Sequence, residues 1–180
     1  MHARFIQSLT ITFLALTLVT ACDSLRTIYV DVTSETTVDT LPLNSTVFQP
    51  LGFDNFASFD VSSSAEFENS DASKNNIDES YVTGFVLEVT APDDGTLEFI
   101  DALEVFMGQG DNDQRTRVAY LPDNTDTDVD TLYLTVYDDR DISQYLRADS
   151  TVIEIEAKGR TPDQKTTIQA SMTFAVKLQL

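Results

Sequence analysis

The chain has 180 residues, of which 30 are acidic and 11 are Lys or Arg, giving a net charge of −19 at neutral pH. That balance excludes a nucleic-acid backbone as partner, because phosphate binding needs a basic patch. It also repels an anionic membrane surface. Apolar residues make up 42% of the chain, with 11 Phe and 6 Tyr, which is enough to build a core and too apolar for a disordered segment.

The first residues read MHARFIQSLTITFLALTLVTAC, with Arg4 as the only charge before Asp23. A basic start, an apolar run and a small residue before a cut site describe a secretory signal peptide over residues 1–21. Polar Thr and Gln interrupt the run, which falls short of the roughly 20 apolar residues that span a bilayer comfortably.

Val19-Thr20-Ala21-Cys22 resembles the lipobox of bacterial lipoproteins. The resemblance covers only these first 22 residues. It implies cleavage before Cys22, a diacylglycerol on its thiol and acylation of the new amino group. It also implies a lipid-anchored protein of the bacterial cell envelope, with the membrane reached through the lipid on Cys22. Asp23 follows the cysteine, a position that in enteric bacteria bears on membrane choice. The outer membrane is favoured and the inner membrane stays open. Two or more acyl chains hold stably where one holds marginally.

Removal of residues 1–21 leaves 159 residues, one domain's length, and its ten Lys and Arg against 30 acids give a net charge of −20. Asp outnumbers Glu by 21 to 9, a bias that fits a salty habitat where counter-ions screen self-repulsion. Residues 22–26 form a short tether, reaching at most roughly 18 Å, and residues 27–180 form a single domain.

Within that domain the apolar residues alternate. Ile28, Val30 and Val32 share one face of a segment, as do Phe85, Leu87 and Val89, then Leu103, Val105 and Met107. Leu132, Leu134 and Val136 repeat the pattern, followed by Ile153, Ile155 and Ala157. The longest series runs through Ile168, Ala170, Met172, Phe174, Val176, Leu178 and Leu180. Strict alternation means strands with one buried and one wet face. The fold class is therefore all-β, an antiparallel β-sandwich of immunoglobulin-like or jelly-roll-like kind.

LGFDNFASFDV reads as a further strand with Ala57, Phe59 and Val61 inward. APDDGT at 91–96 and KGRTPDQK at 158–165 read as tight connections, while MGQGDND and LPDNTDTDVD read as longer acidic loops. Two stretches break the rhythm as short helical turns: one around 69–80, the other around 138–149. In the second, Asp141 is placed to cap and Ile142, Tyr145 and Leu146 share a side; a bridge between two sheets is expected there.

The chemistry is bounded mainly by absences. The only histidine is His2, inside the signal peptide, so mechanisms that need an imidazole base have none. The only cysteine is Cys22, which leaves no internal disulfide and no ordinary zinc site. No Gly-rich phosphate loop is present. Two carboxylates could in principle hydrolyse a glycosidic bond, but among 30 acids a close pair arises by chance, and the chain lacks Trp for sugar stacking. The protein is read as not an enzyme.

Calcium is the better site expectation. Asp126, Asp128 and Asp130 alternate in one loop with Asp123 upstream, and Asp111 and Asp113 stand in another. Hard cations want several oxygen ligands, and such loops supply them. The spacing starts like an EF-hand, but Thr131 stands where the turn Gly belongs and Tyr137 where the final Glu belongs. The competing reading is a solvated acidic surface. Tyr29, Tyr133 and Tyr137 fall on wet strand faces, either as a ligand surface or, preferentially, as cross-strand pairs. The function read from the chain is a non-catalytic structural or binding module, with an unknown protein or glycan partner and no required cofactor. A surface adhesin or carbohydrate-binding module, helped by calcium, is the alternative.

Overall fold

The computed structural model describes residues 25–38, 43–53, 56, 59–109 and 115–179. Nine strands run through them: β1 (Leu25–Val38), β2 (Gln49–Leu51), β3 (Ile77–Ala91), β4 (Ile100–Gly108), β5 (Thr116–Leu121), β6 (Thr131–Tyr133), β7 (Thr135–Val136), β8 (Val152–Gly159) and β9 (Thr166–Gln179). They form two antiparallel sheets, sheet A in the order β1-β9-β3-β6 and sheet B in the order β2-β8-β4-β5-β7. The β-sandwich is therefore present, and its inner faces meet in one apolar core. Among the described residues no helix is long and apolar enough to cross a membrane.

Strand β9 shows why the pattern folds this way. Ile168, Ala170, Met172, Phe174, Val176 and Leu178 are fully buried, and the residues between them face outward. β1 pairs with it along its whole length without a bulge, from Leu25 opposite Gln179 to Val38 opposite Thr166. β1 thus starts at Leu25, two residues earlier than the sequence suggests, and takes in the last two residues of the expected tether.

β3 lies on the other side of β9, with register shifts between Ile77 and Glu79, Val82 and Gly84, and Val89 and Ala91. Each shift inserts an extra residue and flips the inward parity. Hence Val82 and Phe85, three apart, both point into the core.

Three expectations change. The stretch 51–61 is not a strand throughout. After β2 come an isolated bridge from Phe59 to Thr151 and a 3-10 turn over Val61–Ser63. Asp60 starts that turn by accepting from the Ser62 amide, and Ser64 then caps α1 (Ala65–Glu68), so short polar side chains divert the backbone from the ladder. Val61 is buried as expected, Phe59 stacks on Phe174, and Ala57 lies outside the described residues.

The segment from Leu132 to Val136 is not one strand either. β6 pairs with β3 in sheet A, and β7 pairs with β5 in sheet B. The chain changes layer at Leu134, whose amide donates to the Phe85 carbonyl. Finally, the connections at 91–96 and 158–165, expected to be tight, do not join neighbouring strands of one sheet. Both carry the chain from one sheet to the other, β3 to β4 and β8 to β9.

The expected bridge is present. α2 (Ser143–Leu146) buries Ile142, Tyr145 and Leu146. Asp141 accepts from the Ser143 amide at 2.9 Å and from the Ser80 amide of β3 at 3.0 Å. On the sheet B side, the Tyr145 hydroxyl pairs with Thr116 of β5, and its carbonyl accepts from Thr151.

The sandwich has two distinct ends. Leu25, Gln179 and Ile77 mark the proximal end, where α2 also packs. Val38, Thr166 and Ala91 mark the distal end, joined by the two sheet-crossing connections and by Ile100 opposite Gly159.

Candidate functional site

The outward face of sheet B is built by register. Across it, Glu156 of β8 stands beside Glu104 of β4, which stands beside Tyr120 of β5. One step away, Glu154, Phe106 and Arg117 line up in the same way.

Cations lock these rows together. Arg115 donates to Glu156 at 2.6 Å and to Glu154 at 2.9 Å, with its guanidinium 4.0 Å from the Phe106 ring centre. Arg117 is ion-paired with Glu104 and donates to the Tyr137 hydroxyl at 2.7 Å. It also sits beside the Tyr120 and Tyr137 rings, which contact one another at 5.1 Å between centres. Arg140 lies over the Tyr137 ring at 3.6 Å from its centre and donates to the Arg117 carbonyl. Hydrogen bonding to Glu156 raises the pKa of Arg115, and hydrogen bonding to Glu104 raises that of Arg117, in both cases against a smaller opposing effect of burial. Pinned cations between rings hold the rings at fixed angles.

A cleft of about 500 Å³ opens on the distal part of this face. Its floor includes Ala102, which pairs with Lys158 of β8. On one side Lys158 lies 4.3 Å from the centre of the Phe48 ring, just before β2. On the other side stand Tyr120 and Pro122, at the end of β5. The small Ala102 side chain leaves a trough between them. From β2 to β5 there are three inter-strand steps, about 14 Å. Asp101, Glu104 and Asp123 supply acceptors around it.

The residues singled out from sequence fare differently. Asp123 lines this cleft, whereas Asp126, Asp128 and Asp130 lie further along the same exposed loop. Asp128 has φ 65, which turns the loop and ends the alternation that would place the three acids on one side. Among the described residues no three His, Cys, Asp or Glu side chains gather as a metal site. Asp111 and Asp113 lie outside the described residues, as does Cys22.

The loop is anchored by its neutral residues. The Asn124 side chain donates to the carbonyls of Leu97 and Ile100, and the Val129 carbonyl accepts from the Leu97 amide at 2.7 Å. The tyrosines are not one surface. Tyr29 and Tyr133 stand exposed on β1 and β6, the opposite edges of sheet A, while Tyr137 pairs with Tyr120 as cross-strand partners do.

Sequence reading missed Phe48, Ala102, Tyr120, Lys158 and the three arginines. The bulge between Val105 and Phe106 breaks the alternation of the β4–β5 pair, so TRVAYL shows no clean period. The available signal was the gathering of two scarce cations beside an aromatic in RTRVAY, residues 115–120.

No family model matches the chain, and no curated protein matches it. Among solved structures it is similar to the acidic stable capsid structure of Helicobacter pylori bacteriophage KHP30. The identity is 12% and the TM-score 0.36, over 87% of this chain and 100% of that one. A likeness that remote assigns nothing, so function is read from this chain's own residues.

Proposed function

We propose that this is a lipid-anchored protein of the bacterial cell envelope whose β-sandwich is a non-catalytic binding module, with the outward face of sheet B as its working surface. The carrying observation is the opposition of two ends. Leu25 begins β1 three residues after Cys22, so an acyl-cysteine would lie within about 11 Å of the proximal end. β1 then runs 14 residues, about 43 Å, toward the distal end, where the Ala102 cleft opens. An anchor at Cys22 would turn that cleft away from the lipid.

The non-catalytic part of the reading rests on composition, since the one histidine is His2 and the one cysteine is the anchor residue. It requires no cofactor. The outer membrane is the favoured location.

Metabolic labelling with a palmitate analogue, followed by intact mass measurement of the membrane fraction, tests the anchor. The expected result is a protein cut before Cys22 and carrying diacylglycerol, with label and membrane association both lost in Cys22→Ala. An unmodified Cys22 or an uncut N-terminus would sink the reading.

A further inference from the structure

We infer that the Ala102 cleft is a binding site for a neutral oligosaccharide, with a sugar ring lying on the Ala102 floor between Phe48 and Tyr120. This rests on the reading of sheet B as a binding face and names the ligand class it takes.

Three features of the cleft select that chemistry. First, its walls are aromatic and its floor is small. Phe48 and Tyr120 stand about three strand spacings apart, with the Lys158 ammonium against the Phe48 ring and the small Ala102 side chain on the strand between Lys158 and Tyr120. The C–H faces of a pyranose pack on such rings, and aromatic platforms supply most of the contact area in sites of this kind. Phe and Tyr serve here in a chain that has no Trp.

Second, donors and acceptors share the lining of the trough. Lys158 is a donor in the lining, and Asp101 and Asp123 are acceptors there. A hydroxyl is both donor and acceptor, so a polyol satisfies both kinds of group at once. A cationic peptide would satisfy the acids but meet Lys158 and Arg117. Third, the chain carries 30 acids against 11 Lys and Arg, and that field disfavours uronate or sulfated sugars. A neutral saccharide meets no such penalty.

The site is also pre-formed. Lys158 is held over Phe48, and Tyr120 is held by Tyr137 and Arg117. Little ordering is left to be lost on binding.

The test uses the purified full-length protein in mild detergent, its Cys22 status read by intact mass on the same sample. It is titrated calorimetrically with neutral hexasaccharides (β-1,4-glucan, β-1,4-xylan, chitin and α-1,4-glucan), with polygalacturonate and with hexalysine. The expected result is saturable binding of at least one neutral hexasaccharide and none of polygalacturonate. Ala102→Trp fills the floor and should abolish binding. Phe48→Ala and Tyr120→Ala should each weaken it about tenfold or more.

Melting midpoints accompany each variant. Should the Tyr120 change disturb the fold, Asp123→Asn at an exposed loop position keeps the test alive and should weaken binding several-fold. Asp126→Asn, outside the cleft, should leave it unchanged. Absence of saturable binding by every neutral saccharide overturns the inference, as does binding that Ala102→Trp leaves intact. Binding of hexalysine alone overturns it in favour of a basic peptide. None of these outcomes touches the anchor, which the mass measurement decides separately.

Discussion

On the outward face of sheet A, side chains act locally. Lys177 pairs with Glu79 beside Tyr81, the Thr173 hydroxyl donates to Asp31, and Tyr29 and Tyr133 stand exposed at opposite edges. On the outward face of sheet B, Arg115, Arg117 and Arg140 join Phe106, Tyr120 and Tyr137 to three glutamates. The inward faces are built alike, from alternating apolar residues. The difference teaches that folding constrains only half of each strand. The other half is free to carry chemistry, and here one sheet carries far more of it.

The largest expected effect tests how rigidly sheet B is held beneath its cleft. Gly159 closes β8 opposite Ile100, and a Cβ there would come within 2.1 Å of the Phe99 carbonyl oxygen. Backbone cannot yield as a side-chain tip can, so Gly159→Ala should cost about 3 kcal/mol in denaturant unfolding. Gly52→Ala, with nothing within 4 Å of the new methyl, is the control and should shift stability by no more than about 0.5 kcal/mol. Equal midpoints would mean that the distal end of sheet B gives way easily, and the cleft could not be called pre-formed.

The second prediction sets the two outward faces against each other. Arg117→Ala removes an ion pair, a hydrogen bond and two ring contacts at once. The arginine is about one-third exposed, so solvent screening discounts the pair, and we expect a loss of about 1 kcal/mol. Lys177→Ala on sheet A should move the midpoint less, because its carboxylate partner is the more exposed of the two and it touches one ring rather than two. Equal losses would erase the distinction between the faces.

How far the sequence reveals this molecule follows the same division. Inward faces were legible because burial imposes a period of two, and β9 follows that period from Ile168 to Leu178. Bulges were not legible, since the shift at Val82 and Gly84 exists only relative to β9. The change of layer at Leu134 was hidden for a similar reason: alternation says which side is inward but not which sheet the strand joins. The cleft was least legible. Phe48, Ala102, Tyr120 and Lys158 come from separate segments, and only strand register brings them to one trough. A sequence motif needs fixed spacing, and these residues have none.

The third prediction concerns Asp141, which ties α2 to sheet A. Burial acts to raise its pKa, but hydrogen bonds from the Ser143 and Ser80 amides and the Ser143 hydroxyl outweigh it, helped by the Arg147 charge. The net shift is downward, so the folded state binds the proton more weakly than the unfolded chain. The stability this supplies is present above the unfolded value near pH 4 and is lost as pH falls through the lower folded value. Asp60, held by Lys74 and Ser62 against a similar effect of burial, acts in the same direction. Asp141→Asn should cost about 1 kcal/mol at neutral pH, discounted because the residue is exposed. It should also flatten the loss of stability below about pH 4. A variant with an unchanged acid limb would show that the α2 connection does not depend on this charge.

The smallest expected effect is the one that decides the acidic loops. Melting is compared in excess calcium, in chelator, and in sodium chloride at matched ionic strength. Added salt of either kind should raise the midpoint, because it screens the repulsion within a chain of net charge −19. At equal ionic strength the two salts should agree. The loop that holds Asp126, Asp128 and Asp130 is already fastened by Asn124, by Val129 and by the Asp130 carbonyl, which accepts from the Val89 amide at 2.8 Å. Its backbone is therefore ordered by protein groups, and its carboxylates face water. A ligand that binds only the folded state at a hundred times its dissociation constant would add about 2.7 kcal/mol. A calcium-specific rise of that size would require ligands beyond this loop, and Asp111 and Asp113 would be the residues to replace next. It would also move chemistry off the face of sheet B and onto the loops beside it, which would undo the contrast between the two sheets.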